Sequence, residues 1–134
     1  MCPTASRKDA PRELLGLRVA IVEDEYFVAD TMKVGLELAG ASVVAMVPTV
    51  DEGLRLFSRG DQLVDAAVLD INLQGARSYA LADLLDQHAV PFVFVTGYDS
   101  GGVDDRYKSR PRCMKPLDIG ELCTALAKLC DRGF

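Results

Sequence analysis

Two hydrophobic rhythms alternate along this chain: short unbroken apolar runs, and stretches where apolar residues return every three or four positions. Val19 to Val22 is the first run and reads as a buried strand. Residues 25–39 read as a helix, with Phe27, Val34 and Leu38 on one face and Gly40 as its stop. Ser42 to Val47 is a second strand, closed by Pro48. Thr49 and Glu52 have capping-box spacing and open a helix that carries Val50, Leu54 and Phe57 together. Ala66 to Leu69 is a third strand. Residues 78–88 form a helix with Leu81, Leu84, Leu85 and His88 on one face, and Phe92 to Val95 is a fourth strand.

The rhythm then falters. Residues 99–109 are polar and contain Gly101-Gly102, so any helix there is short or weak. Arg112 to Lys115 reads as a fifth strand. Asp118 with Glu121 caps a last helix bearing Ile119, Leu122, Leu126 and Leu129. Strand followed by helix, five times over, predicts an α/β fold: a parallel sheet with helices on both faces. Residues 1–15 read as a polar, flexible leader and 16–134 as a single domain, with no length remaining for an output domain.

Composition narrows the function without naming it. The chain has 134 residues, 49% of them hydrophobic, and a net charge of −5. That charge argues against direct contact with nucleic acid or an anionic membrane; the cluster Arg106, Lys108, Arg110 and Arg112 is short and interrupted. No signal peptide or spanning segment is evident. Cys2, Cys113, Cys123 and Cys130 show no metal-binding spacing and read as reduced thiols of a cytoplasmic protein.

In an open parallel sheet, ligands bind beyond the carboxyl ends of the strands. Glu23, Asp24 and Glu25 follow the first strand here, Asp70 and Asn72 the third, Thr96 and Gly97 the fourth, and Lys115-Pro116 the fifth. If the first and third strands are neighbours, three carboxylates converge, and either a pKa rises or a cation moves in. Carboxylates beside a lysine and a threonine form a site for a highly charged oxyanion next to Mg²⁺, which is the equipment of phosphoryl transfer to a carboxylate.

Each of these residues taken alone has an ordinary explanation. Asp70 would be a loop or capping residue, the acidic run an anionic first turn, Lys115 a solvated strand end and Thr96-Gly97 a turn. His88 reads as a helix-terminal packing residue, Cys123 and Cys130 as small seam residues, Arg77 as solvated. Tyr98 and Tyr107 suit either packing or partner contact.

With all four motifs in order, the chain resembles the receiver domain of bacterial response regulators over roughly residues 17–131: the acidic pair in IVEDE, Asp70 ending VLD, Thr96 in FVTG, and Lys115-Pro116. That resemblance implies a flavodoxin-like fold with strand order 2-1-3-4-5 and a single-domain regulator phosphorylated on Asp70. It further implies Mg²⁺ held by Asp24, Asp70 and the Asn72 carbonyl, with Glu23 acting directly or through water. Thr96 and Lys115 would hold the phosphoryl oxygens, Gly97 would leave them room, and the Lys115-Pro116 bond would be cis. The implied partners are a histidine kinase or phosphotransfer protein and an unknown downstream protein, with a second copy of the chain as a further option. The only reaction catalysed would be the protein's own transient phosphorylation and dephosphorylation. A phosphatase would want a second Asp two residues after Asp70, where Asn72 stands. Alternatives are a receiver-fold binding module that works without phosphorylation, or a phosphate sink for a kinase.

The chain departs from the family in three places. Arg112 stands where the family has an aromatic residue on the fifth strand, the segment between Thr96 and Lys115 is short, and the loop Asn72 to Arg77 lacks the common proline. With PFVFVTGYD, these features resemble a subgroup common in alphaproteobacteria, found with kinases of the HWE type, and also the FATGUY receivers.

Overall fold

The structure is a computed structural model that describes residues 13–59, 64–97 and 103–130. Most of the leader, the Tyr98 position and Gly101-Gly102 lie outside the described residues. Five strands form one sheet: β1 (Arg18–Val22), β2 (Ser42–Val47), β3 (Ala66–Asp70), β4 (Phe92–Thr96) and β5 (Arg112–Met114). Every pairing is parallel and the order is β2-β1-β3-β4-β5, as the resemblance implied. Around the sheet lie α1 (Tyr26–Leu38), α2 (Val50–Phe57), α3 (Tyr79–Gln87) and α4 (Ile119–Leu129). Where a weak fourth helix was expected there is a single 3₁₀ turn, Asp105–Tyr107, and the last helix of the sequence reading is α4.

Burial explains the apolar runs. β3 and β4 are central and covered on both faces, so every residue in them is buried; β2 and β5 are edges with alternating exposure. One core joins Ala29, Met32 and Leu36 of α1 and Leu122 and Leu126 of α4 to one face of the sheet. The other joins Phe57, Leu81, Leu85 and Tyr107 to Val22, Leu69, Phe92 and Phe94. Both expected caps form: Thr49 Oγ1 accepts the Glu52 N–H at 3.1 Å, and Asp118 Oδ1 accepts the Glu121 N–H at 3.1 Å. His88 is the C-cap of α3, and the Lys115-Pro116 bond is cis.

The apolar stripe expected on α1 forms, and it faces solvent. Phe27, Val34 and Leu38 do share a face, but they are 82%, 51% and 77% exposed. The buried stripe is Ala29, Met32 and Leu36, on the opposite side of the same helix. No helix among the described residues is long and apolar enough to cross a membrane.

α1 and α4 approach closely because α1 carries Gly35. A Cβ there would sit 2.3 Å from Ile119 Cγ2. Gly35→Ala is expected to lower stability by about 1 kcal/mol despite alanine's better helix propensity, because a side chain must be displaced in packed surroundings. Urea unfolding measures this, and an Ile119→Ala background should remove most of the penalty.

Candidate functional site

The parallel register brings four strand ends to one edge. Val22 is level with Leu69, and Asp70 with Val95 one residue before Thr96. Lys115 N–H donates to the Thr96 carbonyl at 2.9 Å, so the residue after β5 is fixed against the end of β4. Side-chain oxygens of Glu23, Asp24 and Asp70 all lie within 4.8 Å of one another. The Lys115 ammonium stands among them, donating to Asp70 Oδ2 at 3.1 Å, Glu25 Oε1 at 3.2 Å and Glu23 Oε2 at 3.3 Å.

The loop after β3 completes the frame. Asn72 N–H donates to Asp70 Oδ1 at 3.0 Å, and Gln74 N–H donates to Asp24 Oδ2 at 3.0 Å. These contacts come from a small hairpin, Asn72–Leu73 paired antiparallel with Ala76–Arg77. Gln74 and Gly75 at its tip both have positive φ, 53° and 88°, as a two-residue hairpin turn requires. Asn72 Oδ1 accepts the Gly75 N–H at 3.1 Å and closes the turn. Neither this hairpin nor the part of Glu25 was anticipated. Glu25 sits in the acidic run already noticed, whereas a Gln-Gly tip gives a weak hairpin signature.

Glu23, Asp24, Asp70 and Lys115 therefore converge as expected. Thr96 is buried at the adjoining strand end, where its hydroxyl donates to the Gly97 carbonyl at 3.3 Å. Asn72 enters through its backbone N–H and its side-chain oxygen. Arg77 is exposed, and Arg112 is exposed with its guanidinium donating to the Lys108 carbonyl at 3.0 Å. An Arg at that position avoids burial by turning outward, as the cost of an unpaired buried charge demands.

The electrostatics are those of an anionic site short of positive charge. Glu23 is 3% exposed. Burial, then the neighbouring Asp70 charge, push its carboxyl up to about 8, against the pull of the Glu25 N–H and Lys115. Its Oε1 is buried and accepts no hydrogen bond among the described residues, although the ammonium is 3.3 Å away. Burial alone would lower the Lys115 pKa, but Asp70, Glu23 and Glu25 outweigh it and hold the ammonium above its ordinary value. An orphaned buried carboxylate oxygen beside two further carboxylates fits a hard divalent cation with oxygen ligands.

A pH dependence follows. Glu23 binds its proton more tightly folded than unfolded, so its contribution to stability is complete below pH 4.5 and is lost as pH rises through about 8. Glu23→Gln is expected to flatten that decline in metal-free buffer. The gain at pH 8 should be on the order of 1 kcal/mol, with Mg²⁺ protection reduced. Thermal unfolding at several pH values, with and without Mg²⁺, measures both; a steeper decline in the variant would contradict the assignment.

No family model matches the chain, and no curated protein matches it. Solved structures do. The solution structure of SdrG from Sphingomonas melonis Fr1 is 36% identical, covers 85% of this chain and 96% of its own, and superposes with a TM-score of 0.76. The BeF3-activated conformation of SdrG from Pseudomonas melonis Fr1 is 34% identical, covers 90% and 98%, and has a TM-score of 0.71. A response regulator receiver protein from Sinorhizobium medicae WSM419 shares the fold at 20% identity, with coverage of 90% and 99% and a TM-score of 0.73. On the fold, the strand-end residues and this likeness, the chain belongs to the response regulator receiver family.

Proposed function

We infer that the protein is a cytoplasmic single-domain response regulator that accepts a phosphoryl group on Asp70 from a phosphohistidine of a kinase or phosphotransfer protein. The observation that carries this reading is the Lys115 ammonium 3.1 Å from Asp70 Oδ2, with Glu23 and Asp24 grouped beside the same carboxylate. Asp70 is the nucleophile. Its Oδ1 is held by the Asn72 N–H and its Oδ2 by the Lys115 ammonium, which together fix the carboxylate that attacks. Lys115 would neutralise charge that spreads over the phosphoryl oxygens, and Thr96 at the end of β4 would hold one of them. Glu23, Asp24, Asp70 and the Asn72 carbonyl would hold Mg²⁺, which when bound supplies positive charge to phosphoryl and carboxylate oxygens.

The exposed stripe on α1 supports a helical phosphodonor. Phe27, Val34 and Leu38 recur at steps of seven and four, the seam along which one helix packs on another. The stripe begins in the first turn of α1, soon after Asp24 in the chain, so a partner leaning on it would approach from the end of the helix that follows the acidic cluster. The output is a change in a protein-binding surface, and draining a kinase of phosphoryl groups is compatible with the same chemistry. Nothing in the charge distribution favours direct nucleic acid or membrane binding.

The test is incubation with Mg²⁺ and acetyl phosphate. The protein should gain an acid-stable, hydroxylamine-labile phosphate, and a chelator should prevent it. An unlabelled wild-type protein would overturn the reading in favour of a binding module that works without phosphorylation, which Arg112 in place of a ring favours.

A further inference from the structure

The phosphoacceptor loop and the segment following β4 meet at one side chain. From Asp70 the chain turns through the hairpin and enters α3 at Tyr79. Ser78 N–H donates to the Ile71 carbonyl at 2.9 Å, which ties the start of α3 to the residue beside Asp70. Tyr79 then reaches across to residues 103–107. Its ring stacks on Tyr107 with centroids 5.7 Å apart and planes 2° from parallel. It also meets the edge of Phe94, two residues before Thr96, at 6.0 Å. Its phenolic oxygen accepts the Asp104 N–H at 2.8 Å.

Further ties run along α3. Asp83 accepts from the Tyr107 hydroxyl and from Arg106, and Asp86 pairs with Arg110 at 2.7 Å. Residues 103–110 are thus fastened to α3, whereas Arg112, where the family carries a ring, points outward to the Lys108 carbonyl.

We propose that Tyr79 is a positioning residue through which a change at Asp70 reaches residues 103–107, performing the task of the aromatic side chain that position 112 lacks. The proposal rests on the reading of Asp70 as phosphoacceptor. A phosphoryl group on Asp70 competes for the Asn72 N–H and for Lys115. The hairpin between Asp70 and Tyr79 is short and tied at Asp24 and Ile71, so it passes a displacement on instead of absorbing it. Among the described residues the buried Ser78 Oγ has no hydrogen-bond partner, so the first turn of α3 shifts without breaking a side-chain bond to them. A flat aromatic stack tolerates sliding; a single directed hydrogen bond does not. The Tyr79–Asp104 bond is the element whose two arrangements, made and broken, report the state of Asp70.

Backbone amide spectra of wild type and Tyr79→Phe, each with and without BeF3⁻ and Mg²⁺, test the proposal. The variant keeps the ring and its stack, so the fold is preserved and only the acceptor is removed. Both proteins should respond at Asn72 and Lys115. The wild type should also respond at Asp104, Arg106 and Tyr107, and in Tyr79→Phe that second response should be lost. A purely structural tyrosine would lower stability without separating the two responses. The relay is overturned if the variant responds at 104–107 as the wild type does, or if the wild type responds only around Asp70. Silence at Asn72 and Lys115 in the wild type overturns the reading of Asp70 itself, and the relay with it.

Discussion

Asp70→Asn is expected to abolish phosphate incorporation from acetyl phosphate while leaving the fold intact. Asparagine has the shape of aspartate, so its oxygen still accepts the Asn72 N–H, and Lys115 keeps Glu23 and Glu25 as partners. What disappears is the anionic oxygen that attacks phosphorus, for which an amide is no substitute. One of three clustered carboxylates goes as well, so protection by Mg²⁺ should weaken in parallel. Intact-mass measurement after Mg²⁺ and acetyl phosphate should find a phosphorylated wild type and an unmodified variant. Equal labelling of the two would move the acceptor elsewhere, and with it the meaning of the whole cluster.

The largest effect on stability is expected from Phe94→Ala. Phe94 is wholly buried in the central strand β4. Its ring packs against Phe92, Tyr107 and Tyr79 with centroids 5.1, 5.5 and 6.0 Å away. Truncation removes the contacts and leaves a cavity under the Tyr79–Tyr107 stack, at a cost of about 3–5 kcal/mol. A domain of this size has only about 5–15 kcal/mol in total, so the variant should unfold at markedly lower urea. A loss below about 1 kcal/mol would mean that the two tyrosines collapse into the space, which is inconsistent with rings held at their hydroxyls by Asp104 and Asp83.

Strands β3 and β4 were legible because a strand covered on both faces must be apolar throughout, and few other local structures demand that. The two capping boxes were legible because their geometry is local to four residues. The core of the site was legible for a different reason: the parallel sheet dictates where its strand ends lie, so residues far apart in sequence could be placed together from topology alone. Glu23, Asp24, Asp70 and Lys115 all follow from that. The side of α1 that is buried did not follow, because Phe27, Val34 and Leu38 have the same period as Ala29, Met32 and Leu36. Periodicity reveals a stripe without saying what it faces, and here the bulkier stripe faces water. The stacking of Tyr79 on Tyr107 was equally out of reach, since it depends on how a short, polar connection folds back over α3. The contact of Glu25 with Lys115 did not follow, because a long, exposed side chain finds its partner only once the lysine's position is known.

The two stripes of α1 divide the helix between separate physical demands. Ala29, Met32 and Leu36 answer to the domain's own folding, and a change there is felt whatever the protein meets. Phe27, Val34 and Leu38 answer only to whatever presses on them from outside. The outward stripe can therefore be altered one residue at a time, changing what the helix presents to its surroundings while the packing beneath is left as it is.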